Sequence, residues 1–378
     1  MAHQCLLQAG GKAASQRRAL LAGLAALALP VQTTLALPAQ ATRPDLRVGP
    51  NERVRTLAEA ARLARDGWLI EVAAGDYRAD VASWRRDGLR LRAVGGRVRL
   101  IADGAHAEGK ALFVINGRGV EVEGFDFSGA TVPDRNGAGI RFESGSLTLR
   151  DCSFSDCECG LMSSNDGAAR LVVEDCDFGR PRPAQAFTHL LYAGRIAQLE
   201  VRGCNFHDGH HGHLLKSRAA QSRVEYNRFA SGRASYELEF PNGGQVCVLG
   251  NVIEQGRDSE NPLMLSYGVE GWAWPRNELD LVHNTWIDRL GGSVLRVSGG
   301  GQTRVRAFNN LLLGRRPWRD EPGWQAASNQ WARLEVVPSL EPPAPLPPEL
   351  MPTHQAAEPR GRRRLGGPAR RVGALQEP

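Results

Sequence analysis

The chain has 378 residues, with 47 basic and 41 acidic side chains and a formal net charge of +6. This length suits one large domain or two small ones. The positive charge is concentrated at the ends: residues 1–41 carry +3 and residues 355–378 carry +4, which leaves about −1 for residues 42–354. Because phosphate groups are bound by a basic face, the near-neutral central region argues against nucleic acid as the main ligand.

Residues 1–41 have the pattern of a signal peptide. They contain a basic segment, "KAASQRR", an apolar segment too short to cross a bilayer, "ALLAGLAALALP", and a cleavage-like sequence that ends at Ala41, "ALPAQA". The Arg17–Arg18 pair allows the twin-arginine route as well as the Sec route. We expect a periplasmic or secreted protein with no integral membrane segment after cleavage.

The mature chain begins with an amphipathic helix. "VRTLAEAARLARDG", residues 54–67, places Leu57, Ala60, Ala61 and Leu63–Ala64 on one side and comes directly before the strand-like "WLIEVAAGDY". A repetitive β-structure needs its ends covered, and this helix is predicted to act as the cap.

A repeat then runs through the chain. The segments "DCSF", "DCDF", "GCNF", "YNRF", "GNVI", "HNTW" and "FNNL" share a small or amide residue in the second position and a large apolar residue two positions later. A repeat of this length, made of short strands broken by Gly, Asn and Asp, predicts an all-β fold, a parallel β-helix over residues 42–337. The second positions are predicted to form a buried ladder of Cys152, Cys176, Cys204, Asn227, Asn251, Asn284 and Asn309. Cysteine fills such a slot as a small apolar residue, and a disulfide between Cys157 and Cys159, or between stacked cysteines, is the alternative.

Matching the repeats predicts one row of side chains across successive coils. Lys216 draws attention to it, because the chain has only three lysines among its 47 basic residues, and lysine, unlike arginine, can lose its proton near neutral pH. Two carboxylates in "YELEF", Glu237 and Glu239, are expected to face outward because burying both unpaired would be costly. The predicted outer row is Glu143, Ser163, Tyr192, Lys216, Glu239, Ser266 and Arg296. A merely solvated polar face is the alternative.

Further candidates flank this row. The segment "YGVEGWAWPR", residues 267–276, is called the tryptophan loop below, and it offers Tyr267, Trp272 and Trp274 as a surface for stacking sugar rings. His189 and His213 occupy matching positions on adjacent coils and could stack, and His213 is a candidate proton shuttle. With His210 and His211 in the preceding turn, a transition-metal site is an alternative, although the spacing is not diagnostic.

The last segment, residues 338–378, is rich in proline and then in arginine and has few large apolar residues. Such a composition buries too little surface to order itself, so we expect a disordered tail.

Two stretches resemble known proteins. "AEAARLARDGWLIEVAAGDYRAD" resembles the first segment of secreted right-handed parallel β-helix proteins of the pectate-lyase-like superfamily, and the ladder repeats extend the resemblance over about residues 50–315. "LLKSR…YNRF…NGG…GNVI" is similar to the lysine-bearing coils of alginate and chondroitin lyases with this fold. The resemblance places Lys216 as the base of a β-elimination. Glu239–Phe240 stand where those lyases have Arg-His, and Gly209 and His211 stand where they have acidic calcium ligands.

The resemblance implies an exported, monomeric protein that acts on acidic polysaccharide or oligosaccharide. Lys216 would remove the C5 proton of a uronic acid, Arg218 or Arg296 would neutralise its carboxylate, and Tyr192 would protonate the leaving oxygen. Further candidates, for substrate binding, are Trp272, Trp274, Tyr267, Ser266, Glu143 and Glu237. No cofactor is required, and calcium has weak support. A non-catalytic carbohydrate-binding or structural protein is the alternative, whereas a glycosidase is disfavoured because Glu143 and Glu239 would lie too far apart to act as a pair.

Overall fold

The computed structural model describes residues 43–182, 188–299, 303–315, 323–336 and 342–376. Within them the chain is almost entirely β-structure. The strands up to β15 are β1 Leu46–Val48, β2 Leu69–Arg78, β3 Ala82–Trp84, β4 Arg90–Ile101, β5 Ala111–Glu123, β6 Phe125–Ser128, β7 Ala138–Arg150, β8 Ser153–Ser155, β9 Cys159–Ser163, β10 Arg170–Glu174, β11 Asp177–Gly179, β12 Leu191–Ala193, β13 Gln198–Arg202, β14 Asn205–His210 and β15 His213–Ser217.

The later strands complete the coils and reach into the C-terminal segment. They are β16 Gln221–Glu225, β17 Arg228–Arg233, β18 Tyr236–Phe240, β19 Gln245–Leu249, β20 Val252–Gln255, β21 Leu263–Tyr267, β22 Asn277–Val282, β23 Thr285–Asp288, β24 Ser293–Val297, β25 Thr303–Phe308, β26 Leu311–Leu313, β27 Gln325–Ala327, β28 Gln330–Ala332, β29 His354–Ala356 and β30 Arg362–Arg364.

These strands wind into a parallel β-solenoid of about 10 turns. In the central part each coil contributes one strand to each of three parallel faces. The first face contains β10, β13, β16, β19 and β22, and the second contains β11, β14, β17, β20 and β23. The third face contains β9, β12, β15, β18, β21 and β24. The predicted all-β solenoid is therefore confirmed.

A stacked apolar column fills the interior beside the second face. Neighbouring rings from Phe127 to Phe229 lie 4.6–5.0 Å apart and nearly parallel, one ring from each coil. This spacing matches the separation of paired strands, about 4.8 Å, so each ring packs on the next without a gap. The large apolar residue of each repeat therefore forms the core.

The amide ladder lies beside this column. The Oδ1 atom of Asn251 accepts hydrogen bonds from the backbone N–H and the side-chain amide of Asn227, each at 2.9 Å, and the same pattern continues upward to Asn284. At the next coil the ladder uses Asn310 and then Asn329, so the assignment of Asn309 is wrong by one residue. Asn309 instead takes a left-handed conformation in the turn, with φ of 59°. The six cysteines of residues 152–247 are buried free thiols, and no disulfide links them.

One short α-helix, α1 (Leu57–Leu63), precedes β2 and is shorter than the predicted 54–67. Thr56 caps its N-terminus, and the Asp80 carboxylate accepts hydrogen bonds from the backbone N–H groups of Leu57 and Ala58. The buried Leu57 and Ala60 lie on one side, as an amphipathic helix requires, and Ala64 just after it is buried too. Leu63 was wrongly assigned to that side, because it lies in the last turn and is exposed.

The C-terminal segment differs from the expected disordered tail. Residues 342–376 include the antiparallel pair β29–β30 and a 3-10 helix at Pro348–Leu350, and they lie against the solenoid. Gly373 N–H donates to the Asn309 carbonyl at 2.7 Å, and Arg362 forms an ion pair with Glu174 at 3.3 Å. Composition missed this order because hydrogen bonds and ion pairs to the solenoid hold the segment together with a small apolar cluster, in which Leu350 packs against Leu249 and Val282.

Among the described residues no helix is long and apolar enough to cross a membrane. Residues 1–42, which include the predicted signal peptide, lie outside the described residues.

Candidate functional site

The third face brings most of the predicted row into register. Tyr192 pairs with Lys216, Lys216 with Glu239, Glu239 with Ser266, and Ser266 with Arg296. Each partner lies on the next coil, so the phenol, the amine and the carboxylate come from three consecutive turns. The sequence alignment of these coils was correct.

The row differs from the prediction at its upstream end. Tyr192 pairs with Met162, and Met162 pairs with Arg141, so Ser163 and Glu143 are not members. Ser163 is buried, where its hydroxyl accepts a hydrogen bond from Gly194 N–H at 2.8 Å. Glu143 forms an ion pair with Lys110 at 2.7 Å. The turns in these coils vary in length, and this variation moved both assignments out of register.

Glu237 and Glu239 do not share an environment. Glu239 contacts Lys216 on the outer side, whereas Glu237 is fully buried and accepts a hydrogen bond from the Gln255 side chain at 3.3 Å. Simple alternation fails because two consecutive residues point inward where each coil enters this face, as the buried pair Leu214–Leu215 shows one coil earlier. Burial raises the pKa of Glu237 well above its ordinary value, which makes the neutral acid the stable form inside the coil. A substrate-binding role for Glu237 is therefore wrong.

Lys216 lies at the centre of a charged cluster. Its Nζ atom lies 2.7 Å from Glu239 Oε2 and 3.0 Å from Glu270 Oε1, and the residue is only 8% exposed. The second oxygen of Glu270 lies 2.7 Å from Nη1 of Arg218. One carboxylate thus bridges the lysine and the arginine, and the cluster of two cations and two carboxylates is neutral overall.

Arg218 is positioned by further contacts. Its Nε donates to the Tyr192 hydroxyl at 2.9 Å and its Nη1 donates to the Asn242 side-chain carbonyl at 2.5 Å. The guanidinium also lies over the Tyr192 ring, 5.9 Å from its centre. These contacts fix the arginine and the phenol relative to each other and to Lys216.

A histidine stack adjoins the cluster. The rings of His189 and His213 lie 4.7 Å apart, as the matching positions predict, and His213 Nδ1 lies 3.2 Å from Glu239 Oε2. Burial, followed by the nearby cations, lowers the pKa of His189 to about 3; burial and the neighbouring His189, Lys216 and Arg218 lower that of His213 to about 2. Both rings are neutral at physiological pH, so a proton-shuttle role for His213 has no electrostatic support.

The tryptophan loop lies over the cluster but presents less open surface than expected. Trp274 donates its indole N–H to the Arg218 carbonyl at 3.1 Å, and Trp272 packs edge-on against Tyr267 at 5.3 Å. Both tryptophans are partly buried. Tyr267 and Ser266 are completely buried, which excludes them as direct substrate contacts in this conformation. Arg296, at the far end of the row, is exposed.

Glu270 and Asn242 were not predicted. Glu270 belongs to the tryptophan loop, and its partner Lys216 is 54 positions away, so strand register carries no information about the contact. Burial raises the pKa of Glu270, but the hydrogen bonds from Arg218 and Lys216 outweigh it and hold that pKa below the ordinary value. Its position as the one acidic residue of residues 267–276 was the available signal.

The alternative of a histidine metal site gains no geometric support. His211 Nδ1 lies 2.6 Å from Glu260, away from the His189–His213 stack. Among the residues that the structure describes, no group of three or more potential ligands is placed to hold a metal ion.

Comparison with known proteins identifies the fold. A family model for a right handed beta helix region matches residues 138–314. The solved pectate lyase Pel9A is similar, with 14% identity, a TM-score of 0.53 and 76% of each chain covered. A PL6 family polysaccharide lyase from Pseudopedobacter saltans has 11% identity and a TM-score of 0.39 over 78% of this chain and 94% of that chain. The pectin methylesterase PemA from Erwinia chrysanthemi has 12% identity and a TM-score of 0.40 over 61% and 82%.

At these identities the likeness establishes the architecture alone, because one solenoid fold supports different chemistries. A search of curated proteins finds no match. The resemblance to right-handed parallel β-helix proteins is confirmed, and the chemistry has to be argued from the site.

Proposed function

We propose that this right-handed parallel β-helix protein binds uronic-acid polysaccharide and cleaves it by β-elimination at the Lys216 cluster. The carrying observation is the carboxylate of Glu270, which Lys216 and Arg218 hold between them at 3.0 and 2.7 Å. A pair of cations that binds one carboxylate in this way can bind the carboxylate of a uronic acid in the same place.

The reaction assigns one role to each group. Arg218 neutralises the substrate carboxylate, so that charge can develop on it as the C5 proton leaves. Lys216 first passes the proton that it carries beside Glu239 and Glu270 to solvent, and the neutral amine then takes the C5 proton. Tyr192 donates its phenolic proton to the leaving C4 oxygen. The glycosidic C–O bond breaks, a C4–C5 double bond forms, and the proton on Lys216 later returns to Tyr192 through solvent. Glu239 positions the amine.

Glu270 has to move for this chemistry to begin. It occupies the position assigned to the substrate carboxylate, and its side chain is 43% exposed, in contrast to 5% for Glu239. The more exposed carboxylate is therefore the one that substrate displaces, while Glu239 stays in place.

A non-catalytic carbohydrate-binding protein is the second candidate. The burial of Lys216 between two carboxylates favours it, because such a cluster also serves to join adjacent coils. Both candidates share the carboxylate-binding pair and differ in whether product forms.

Turnover separates the two. The purified protein is incubated with alginate, pectate and glycosaminoglycans, and the near-ultraviolet absorbance of the unsaturated product is followed. We expect Lys216→Arg and Tyr192→Phe to lower kcat by at least about 100-fold, the size of a lost general base or acid. Lys110→Arg is the matched control, because Lys110 also forms an ion pair with a glutamate, Glu143. Binding without product in any of these polymers would contradict the lyase and support the binding protein.

Several broader expectations accompany this proposal. The signal-like residues 1–41 support export to the periplasm or the medium, and the contacts of α1 with β1 and β3 support a capping role for this helix. A single solenoid of this size is expected to act as a monomer, which gel filtration with light scattering would test.

A further inference from the structure

A second groove lies on a different part of the solenoid from the Lys216 cluster. It has a volume of about 840 Å³ and is located where the chain leaves the second face, on the last coils of the solenoid. The Lys216 cluster lies on β12, β15 and β18 of the third face, and the two share no residue. The groove residues used below are Arg257, Arg289, Arg315, Arg333, Trp331 and Leu290.

The arginines come from the same turn of four successive coils. Each lies within two residues of the end of a second-face strand, after β20, β23, β26 and β28 respectively. These strands pair in parallel, one coil after another, so the four arginines come from four successive coils that are about 4.8 Å apart along the solenoid axis. All four residues are exposed.

Among the described residues, three of the four arginines form no ion pair. Arg289 forms an ion pair with Glu254 at 2.5 Å, but Arg257, Arg315 and Arg333 have no ion pair within the described part of the chain. Two acids also border the groove. Asp288 is buried and accepts a hydrogen bond from Gly291 N–H at 2.7 Å, while Glu335 is exposed at the rim. The four arginines therefore outnumber the acids in the groove.

An apolar platform lies beside the arginines. Trp331 is 47% exposed, and its indole N–H donates to the Gly314 carbonyl at 2.8 Å, which fixes one edge of the ring and leaves the rest accessible. Leu290 adds exposed apolar surface. An indole held in this way suits the C–H face of a sugar ring, and exposed apolar surface inside a polar groove is typical of a ligand site.

We propose that this groove is a second binding site for an acidic polysaccharide chain that runs along the solenoid axis. A ligand that satisfies a series of arginines needs an anionic group on successive units, and a ligand that covers Trp331 needs an apolar ring face. A polyuronate or a sulfated glycan meets both needs, whereas an isolated inorganic anion lacks the ring and the repeat. The site does not depend on chemistry at Lys216, and it would hold a chain on the enzyme or on the binding protein alike.

The test is calorimetric titration with a defined oligogalacturonate, its fully methyl-esterified form of equal length, a sulfated oligosaccharide and inorganic sulfate. Titrations use protein that carries Lys216→Arg, so that turnover does not consume the probe. The titration with the esterified form is repeated with protein that has the native Lys216. We expect Trp331→Ala and the Arg315→Ala/Arg333→Ala pair to weaken oligogalacturonate binding by at least about tenfold. Arg78→Ala is the control, because Arg78 is an exposed arginine on β2 with a 3.0 Å ion pair to Asp103.

Each result decides the matter. Binding that equals that of the control in both groove variants, with thermal melting unchanged, overturns the proposal. Equal affinity for the esterified form, or binding of inorganic sulfate as tightly as of oligogalacturonate, also overturns it, because either would remove the need for a charged sugar chain. A preference between the carboxylated and sulfated probes identifies the anion. If Lys216→Arg abolishes turnover but still binds oligogalacturonate through the groove, both sites are supported. If Lys216→Arg abolishes turnover and the groove variants leave binding unchanged, only the Lys216 site is supported.

Discussion

Replacing Glu239 by glutamine should destabilise the protein far more than the same change at Glu270. Glu239 is 4% exposed, and its carboxylate lies 2.7 Å from Lys216 Nζ and 3.2 Å from His213 Nδ1. Removing one partner of a buried ion pair costs about 3–5 kcal/mol, since the other charge stays buried without compensation. We expect about 3 kcal/mol, the lower end, because Glu270 still contacts Lys216 at 3.0 Å.

The Glu270→Gln variant provides the comparison. Its carboxylate also contacts Lys216, but it is 43% exposed, and ion pairs in contact with solvent contribute about 1 kcal/mol or less. Urea unfolding followed by circular dichroism measures both variants. A double Lys216→Met/Glu239→Leu variant should recover part of the loss, because it removes both buried charges together. The reasoning would be refuted if the two variants unfolded at the same urea concentration.

Three other predictions follow from the same contacts. Asn251→Ala should cost about 3 kcal/mol, because the Asn227 backbone N–H and the Val224 carbonyl lose their bonds to Asn251 and the Asn227 amide keeps only the Val201 carbonyl. Asn251→Cys should cost less, because the chain itself uses cysteine in this ladder, and thermal melting compares the two variants. Stability should fall as the pH drops from 6.5 towards 3, since the folded-state pKa values of His189 (about 3) and His213 (about 2) lie below their ordinary 6.5 and the unfolded chain binds protons first. His213→Gln should flatten that fall by about 1.4 kcal/mol per pH unit in urea titrations, and an unchanged slope would contradict its neutral burial. Glu270→Gln should bind acidic oligosaccharide more tightly than the native protein, because the Glu270 carboxylate then no longer competes for Lys216 and Arg218. Weaker binding in calorimetry would show that Glu270 contacts the ligand instead.

The repeat in the sequence was sufficient to predict the solenoid and its core. The pattern is local: a small or amide residue is followed two positions later by a large apolar one. Because every coil repeats it and the coils stack, the same pattern determines the core of the whole solenoid. The repeat pattern does not identify the ladder residue in "FNNL", where two asparagines are adjacent and only Asn310 enters the ladder. Nothing in the local sequence separates the two.

The site was predictable only where neighbouring coils match in length. Tyr192, Lys216 and Glu239 were aligned correctly because the flanking segments are similar, while Ser163 and Glu143 were misplaced by turns of unequal length. Glu237 was misjudged because alternation fails at a corner of the coil, and Glu270 was missed because its loop folds back from a distant position. Loop geometry depends on tertiary packing, which the strand pattern does not encode.

The C-terminal segment alters how this molecule should respond to a pulling force. In a simple solenoid each coil touches only its neighbours, so the end coils can peel away one at a time. Here the chain doubles back, and its contacts reach from Asn309 and Thr285 on late coils to Asp151 on an early one. Detaching a terminal coil therefore also breaks bonds that anchor distant ones, and extension in an optical trap should give fewer and larger rupture events than an unbraced solenoid of the same length.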